Sequence, residues 1–191
     1  GAGQPTVAQI NAALADADVI GTAADSTAEV QGIVDAYQAI LGNADGTANN
    51  ATSPSAADYT KLGVTGIDTA AELGLLGDVI DGKTAADVAT PAQIQALADA
   101  AAATVAYNGT NTAPTQAQLE ALGVTGLTAD NLAAVLAAID AANSDGTPIA
   151  SLAELQGVAA TAAAALTTIS AYAQNNGGTA PVAADYTAAG V

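Results

Sequence analysis

The sequence predicts an all-α protein built from small three-helix modules in tandem. The motif LGVTG occurs at 62–66 and again at 122–126, each time between segments with helical spacing of apolar residues, and a broken copy, AGV, lies at 189–191. Helix-start signals of the form [ST]-x-x-[EQ] recur along the chain. No run of alternating β-branched and aromatic residues predicts a strand. Such repetition is typical of proteins made of stacked modules.

The first third of the chain predicts two helices that begin at capping boxes, in which the first and fourth residues satisfy each other's backbone amides. Thr6–Gln9 begins a helix with Ile10 and Leu14 on one face. Ser26–Glu29 begins a second, clearer helix that should stop at Gly42. Its apolar residues have the spacing of one buried stripe: Val30, Ile33, Val34, Tyr37 and Leu41.

The middle third predicts three helices in the order short, medium, long. Pro54, with Ser53 as its N-cap, begins a short helix that stops at Gly63. Thr69–Glu72 begins the medium helix and Thr90–Gln93 the long one.

The same order follows once more. Thr115–Gln118 begins a short helix that stops at Gly123, Thr128 caps a medium helix, and Ser151–Glu154 begins the longest helix. Pro181 begins a last short helix. The predicted division is therefore an incomplete module that lacks its opening helix, two complete modules and an orphan opening helix: 1–53, 54–113, 114–180 and 181–191.

The charge is strongly acidic, with 19 acidic residues, two lysines and a net charge of −17. This balance predicts no nucleic-acid binding and repulsion from anionic membrane surfaces. No uninterrupted apolar stretch approaches 18 residues, so we expect no membrane insertion. Histidine and cysteine are absent, which removes the imidazole base, the thiol nucleophile and ordinary zinc sites. We expect no cofactor.

Carboxylates are the remaining candidates for chemistry, and they predict no enzyme. General acid–base work needs carboxylates in a partly desolvated pocket, which small alanine-rich bundles rarely provide. We therefore interpret the nearby pairs as caps and solvated helix faces: Asp16 with Asp18, Asp25 with Glu29, and Asp78 with Asp81.

Calcium is the one metal that the loops suggest. The loop from Asn143 places Glu154 at its twelfth position, but its glycine falls at the fourth rather than the sixth position of an EF-hand loop. Asx-type turns explain such loops better, so any Ca²⁺ would bind loosely.

The five tyrosines allow two interpretations. Tyr59 and Tyr186 lie in short helices, whereas Tyr37, Tyr107 and Tyr172 lie late in long ones. They could be exposed anchors for a partner, or the large side chains that fill module ends in an alanine-rich core. We favour the second interpretation.

The succession LGVTG…NLAAVLAAI…AELQ resembles the Ala/Asp-rich repeats of very large secreted bacterial surface proteins, adhesins and their stalks. The helix order is also similar to small three-helix surface modules of the albumin-binding type, which carry lysines where this chain has Ala and Asp, so albumin binding is not carried over. The resemblance implies an extracellular or cell-surface role. A structural stalk or filament component is the leading interpretation, and a helical module that binds a host or matrix protein is the alternative.

The two ends of the chain read as complementary parts of one module. We expect Tyr186 and Val191 of one subunit to complete the incomplete first module of the next, giving a head-to-tail filament of identical copies. The chain could instead be cut from a longer repeat protein, or its own tail could fold back. The residues expected to form the receiving face are Ile10, Leu14, Val30, Val34 and Tyr37.

Overall fold

The chain is all-helical, as predicted. The structure is a computed structural model that describes residues 3–16, 19, 21–48, 53–175 and 179–191, and within these ranges it contains nine α-helices and no strand. One isolated antiparallel bridge joins Asp45 to Thr84. The helices are α1 (Val7–Leu14), α2 (Thr27–Asn43), α3 (Ala56–Lys61), α4 (Ala70–Asp81), α5 (Pro91–Ala106), α6 (Gln116–Leu122), α7 (Leu132–Ser144), α8 (Leu152–Asn175) and α9 (Ala183–Ala188).

Capping boxes start the helices where the sequence predicts them. At Ser26 the hydroxyl accepts from the Glu29 amide at 3.3 Å, and the Ser26 amide donates to Glu29 Oε2 at 2.9 Å. Reciprocal boxes of the same kind start α1 at Thr6, α4 at Thr69 and α6 at Thr115. Each box satisfies two amides that the first helical turn leaves without partners.

Four predicted helix boundaries are wrong. Helix α9 begins at Ala183 rather than at Pro181. The N-cap of α7 is Asn131 rather than Thr128, whose hydroxyl accepts from the Asn131 amide at 3.2 Å.

The N-cap of α3 is Ser55 rather than Ser53, because Asp58 at the fourth position takes the place of Glu or Gln and its Oδ2 accepts from the Ser55 amide at 2.9 Å. Helix α2 does not stop at Gly42 but continues to Asn43, whose side-chain amide donates to the carbonyl of Gly77 at 3.1 Å. This tertiary bond holds the last turn of α2 against α4.

The LGVTG motif is a helix end followed by a tight turn, as its glycines indicate. Gly63 and Gly66 both have left-handed backbone, with φ of +79° and +77°. The Val64 amide donates to the Tyr59 carbonyl at 3.1 Å, and the Gly63 amide donates to the Thr60 carbonyl at 3.0 Å. This pair of bonds is a Schellman motif, which satisfies the last carbonyls of a helix and needs a left-handed residue, usually glycine.

The chain divides into two compact units, Gly1–Ala102 and Ala103–Val191. In the first unit α1, α3 and α4 pack on α2. Its largest fully buried side chains are Ile33, Tyr37, Ile40, Tyr59, Leu62, Leu75, Leu76, Ile80 and Ile94. In the second unit α7 and α9 pack on α8. Its core includes Leu119, Leu122, Val135, Ile139 and Leu155.

Each unit places a short helix on the long helix that precedes it in the sequence: α3 lies on α2, and α9 lies on α8 of the same chain. The tail therefore packs back on its own unit. The finer division into modules at 1–53, 54–113, 114–180 and 181–191 stays a prediction.

Helix α8 combines unusual length with low polarity. Its segment Leu152–Gln174 has a mean hydropathy of 1.3 and is, by length and composition alone, long and apolar enough to cross a membrane. In this fold the same helix is the centre of the second unit, and it buries Leu155, Ala159, Ala162 and Ala165. A mostly buried core helix can meet the same criteria, but only 22% of this segment is buried.

Candidate self-assembly surfaces

Three copies of one closing motif end the short helices, and they correspond residue by residue: Tyr59–Val64, Leu119–Val124 and Tyr186–Val191. All three fold in the same way. The bond from Val64 to Tyr59 recurs from Val124 to Leu119 at 3.0 Å and from Val191 to Tyr186 at 3.0 Å. The third copy is therefore as fully formed as the first two.

Burial separates the third copy from the others. Tyr59 is 1% exposed and Val64 is 2% exposed, whereas Tyr186 is 40% exposed and Val191 is 88% exposed. Leu119 and Val124, at the corresponding positions of the second copy, are also buried. The large apolar residue and the valine that belong to a core in two copies, as Tyr59 with Val64 and Leu119 with Val124, thus lie at the surface in the third. We call Tyr186 and Val191 the tail face.

A glutamine side chain binds the backbone that leaves each buried copy. Gln95 of α5 accepts from the Thr65 amide at 2.9 Å and donates to the Thr65 carbonyl at 3.1 Å. Gln156 of α8 accepts from the Thr125 amide at 2.8 Å and donates to the Thr125 carbonyl at 3.4 Å. Because both backbone groups of one residue are bound, the side chain fixes the position and direction of the outgoing chain. We call this arrangement the glutamine clasp.

A third glutamine occupies the same place on α2 but makes no clasp with a described residue. Gln31 lies as far beyond its N-cap, Ser26, as the two clasp residues lie beyond Thr90 and Ser151. It is exposed, and its Nε2 donates to Asp35 Oδ1 of its own helix at 2.7 Å. The clasp position of α2 therefore presents an amide to the surface.

The apolar neighbours of Gln31 are also less buried than their counterparts. Val30 is half-buried, whereas its counterparts Ile94 and Leu155 are buried. Val34, one turn further, is half-buried as well. Its counterparts, Ala98 and Ala159, are buried too. We call Val30, Gln31 and Val34 the head face.

The structure places the seven residues that the sequence predicts for self-assembly in different surroundings, some at the surface and some in the core. Tyr186 and Val191 form the tail face, and Val30 and Val34 belong to the head face. Tyr37 lies wholly in the core, where its hydroxyl donates to the Val88 carbonyl at 3.1 Å and burial raises its pKa to about 12.

The two predicted residues of α1 are weaker candidates for a self-assembly surface. Ile10 and Leu14 are half-buried. So are Leu73 and Leu132, which occupy the position of Ile10 in α4 and α7, so this exposure is ordinary for the medium helix.

Sequence reasoning missed the glutamines. Their signal was available, because a glutamine recurs at one position of all three long helices: Gln31, Gln95 and Gln156. Leu166 of α8 is half-buried where its counterparts Leu41 and Val105 are buried. Leu166 and the 40% exposed Tyr172 extend the apolar surface of the second unit.

The carboxylate pairs differ in burial: Asp25 is exposed, whereas Asp78 is half-buried and Asp81 is buried in α4, so the interpretation of that second pair as a solvated helix face is wrong. Asp25 and Glu29 come together, and the hydrogen bond from Glu29 raises the pKa of Asp25, while the bond from Ser26 lowers the pKa of Glu29. Both side chains are solvated, so this pair resembles a helix cap rather than a desolvated acid–base pair. Asp18 lies outside the described residues.

The predicted calcium loop uses its oxygens internally. Asn143 Oδ1 accepts from the Ile149 amide at 3.0 Å, and Glu154 Oε2 accepts from the Ala150 amide at 2.9 Å. Asp145 Oδ1 accepts from the amide and hydroxyl of Thr147, which lowers the pKa of Asp145. In the part of the chain that the structure describes, no three acidic side chains are grouped to hold a metal ion.

No family model matches this sequence, and neither a curated protein nor a solved structure matches it at a significant level.

Proposed function

We propose that this protein is a structural subunit of a bacterial surface, a stalk or filament component that assembles head to tail outside the cell. The observation that carries the proposal is the contrast within one motif. The first two copies bury their valine together with a tyrosine or a leucine, whereas the third copy exposes Tyr186 and Val191. A surface that matches a core elsewhere in the same chain is suited to a partner that resembles the rest of that chain.

The head face supplies the other half of such a contact. The tail face and the head face differ in residues and lie in different units, so a contact between two copies would be heterologous. Heterologous contacts that do not close into a ring propagate into a filament.

Charge fits an assembly that forms in salt. With a net charge of −17, copies repel each other at low ionic strength, and screening removes most of that repulsion beyond about 10 Å at 0.1 M salt. Among the described residues one ion pair forms, between Lys61 and Asp58 at 4.0 Å. Apolar contact and backbone hydrogen bonds, rather than charge pairs, would therefore hold the copies together.

The extracellular and bacterial-surface parts of the proposal rest on the resemblance to Ala/Asp-rich surface repeats. The proposal includes no catalysis, because the sequence has no histidine or cysteine and the carboxylate pair Asp25 with Glu29 is solvated.

A helical module that binds a host or matrix protein is the second candidate. The exposed apolar residues Tyr172, Val182, Tyr186 and Val191 favour it, since exposed aromatic and aliphatic side chains are typical of protein interfaces. In that case the tail face would be occupied by a different protein.

Deletion of 181–191 distinguishes the two functions. The intact chain and the truncated chain are compared by sedimentation velocity across concentration at sea-like salt. Head-to-tail assembly predicts that the intact chain grows with concentration and that the truncated chain does not. If both sediment as monomers throughout, self-assembly is excluded and the binding module becomes the better proposal.

A further inference from the structure

We infer that two copies join by docking intact faces: the tail face of one copy covers the head face of the next, the Gln31 side-chain amide donates to the backbone oxygen of Val191, and α9 stays on its own α8. This inference rests on the proposed self-assembly and specifies its geometry. It differs from the sequence-based expectation, in which the last helix leaves its own chain to complete another.

The contact that we propose between copies already occurs within each unit of the chain, and we call it the joint. In the first unit the closing motif buries Tyr59 and Val64, and the next residue, Thr65, is held by Gln95 beside the buried Ile94. The second unit repeats the arrangement with Leu119 and Val124 buried and with Thr125 held by Gln156 beside Leu155.

The two partners of this joint, a closing motif and a long helix with its glutamine, each occur once more in the chain without being in contact with the other. The tail face has the motif, correctly folded, with its valine exposed. The head face has the glutamine and the two apolar positions, with the glutamine exposed and Val30 and Val34 half-buried. Placing the third motif on α2 as the first lies at α5 would bury all of these groups together.

The seating of α9 explains why it need not leave its chain. Gly190, at φ +80°, lies so close to α7 that an added Cβ would overlap the Ala137 side chain. Gly63, the corresponding glycine of the first unit, would place a Cβ 2.6 Å from Asp16 Oδ1, just beyond α1. In both units the glycine of the closing motif thus lies close to the segment before the long helix, at Asp16 beyond α1 and at Ala137 of α7, while the tyrosine and valine of the motif face the next contact.

Two other exposed valines provide matched controls. Val7 is 77% exposed, and its counterparts Ala70 and Ala129 are exposed as well. Val182 is 62% exposed, and its counterparts Ser55 and Thr115 are also exposed. Since these positions stay in solvent even where the joint is formed within the chain, aspartate there should leave assembly unchanged.

The first test uses Val191→Asp, which removes the tail face, and Val30→Asp, which removes the head face. Each variant alone should be monomeric, and Val7→Asp and Val182→Asp should assemble like the unchanged chain. In a mixture of the two variants, Val30→Asp supplies an intact tail face and Val191→Asp supplies an intact head face. The mixture should therefore form 1:1 dimers that grow no further. A mixture that remains monomeric while the unchanged chain assembles would overturn the inference.

Because Val30→Asp could unfold the half-buried head face, Gln31→Ala provides a second measurement. It removes the Gln31 amide from an exposed position and should weaken the association by up to about tenfold, the effect of losing one hydrogen bond of ordinary strength. Assembly of Gln31→Ala at the same concentration as the unchanged chain would contradict this bond.

The second test distinguishes docking from helix donation. Ala141 and Ala188 line one groove between the end of α7 and α9, and the chain contains no cysteine. Cysteines at both positions, joined by a short thiol cross-linker, would hold α9 on its own unit, with each single-cysteine chain treated alike as a control. Docking predicts that the cross-linked chain still assembles.

The outcomes separate the two proposals. If the cross-linked chain stays monomeric while the controls assemble, helix donation is correct and this inference is wrong, although the proposed function stands. If the controls and the unchanged chain are also monomeric at every concentration and salt, the proposed self-assembly fails.

Discussion

The backbone amide of Val191 donates to the carbonyl of Tyr186 over 3.0 Å, the same bond that joins Val64 to Tyr59. Local structure is therefore shared, and the burial of these residues differs because of what surrounds them. A formed motif with exposed apolar side chains is a surface already shaped for contact, so little ordering entropy opposes its docking.

Removing the Tyr59 hydroxyl should stabilise the protein. The ring is fully buried, and within the described part of the chain its hydroxyl has no hydrogen-bond partner. An unsatisfied buried polar group costs about 1–3 kcal/mol, so Tyr59→Phe should raise the free energy of unfolding by about 1 kcal/mol. Urea unfolding measures the change.

Tyr37→Phe is the matched control for that substitution. Tyr37 is equally buried, but its hydroxyl donates to the Val88 carbonyl at 3.1 Å. Its removal should lower the free energy of unfolding by about 1 kcal/mol. Equal effects of the two substitutions would contradict this account of the core.

Gly77→Ala should destabilise the protein even though alanine favours helices. A Cβ at Gly77 would lie 2.6 Å from Ser53 Oγ and 2.7 Å from Ser53 Cβ, so the chain must shift. Overpacking costs about 1–3 kcal/mol and exceeds the gain in helix propensity of up to about 1 kcal/mol. We expect a net loss of about 1 kcal/mol in thermal or urea unfolding.

Gly157→Ala in α8 is the control for steric overlap. A Cβ there meets nothing within 4 Å, so only the helix propensity changes. This variant should gain about 0.5–1 kcal/mol. A loss at Gly157, or a gain at Gly77, would show that the close approach at Ser53 does not govern the result.

Stability should fall steeply in strong base. Burial raises the pKa of Tyr37 from 10.0 to about 12, and burial together with the charge of Asp58 raises the pKa of Tyr59. Between pH 10 and 12 the folded chain retains the Tyr37 proton that the unfolded chain has lost. The free energy of unfolding therefore decreases there, by up to about 1.4 kcal/mol per pH unit for each such tyrosine.

Denaturant titrations from pH 9 to 12 measure this slope. The double variant Tyr37→Phe with Tyr59→Phe should show a shallower decline than the unchanged chain. Identical slopes would mean that the two hydroxyls ionise in the folded state as easily as in the unfolded one.

Salt should raise the melting temperature. Self-repulsion from a net charge of −17 is screened as ionic strength rises, so the melting temperature should increase by a few degrees from low salt to sea-like salt. Ca²⁺ at matched ionic strength should add little, because Asn143 and Glu154 already accept loop amides. A sharp stoichiometric transition on adding Ca²⁺ would reveal a specific site.

Local features of the fold could be predicted from the sequence because their causes are local. The boxes at Thr6, Ser26, Thr69 and Thr115 depend on residues three apart, and the glycine turns depend on a backbone that few other residues adopt. Ser55 was missed because aspartate stands at the fourth position of its box.

Packing partners could not be predicted in the same way. The end of α2 is held past Gly42 by the bond from Asn43 to Gly77, which is distant in sequence. The placement of α9 on α8 is likewise tertiary, since helix order alone allows a short helix to join either neighbour. Tyr186 and Val191 were predicted from the repetition of the closing motif, whereas the recurrence of glutamine at Gln31, Gln95 and Gln156 acquires a structural meaning only from the bonds that Gln95 and Gln156 make.

The most direct test of self-assembly is the weight-average mass in solution, measured by light scattering across concentration at sea-like salt. The unchanged chain should rise steadily above the monomer mass without reaching a plateau at the dimer, and Val191→Asp should stay at the monomer mass. A chain that remains monomeric at every concentration, or that stops at a closed dimer, would contradict head-to-tail assembly.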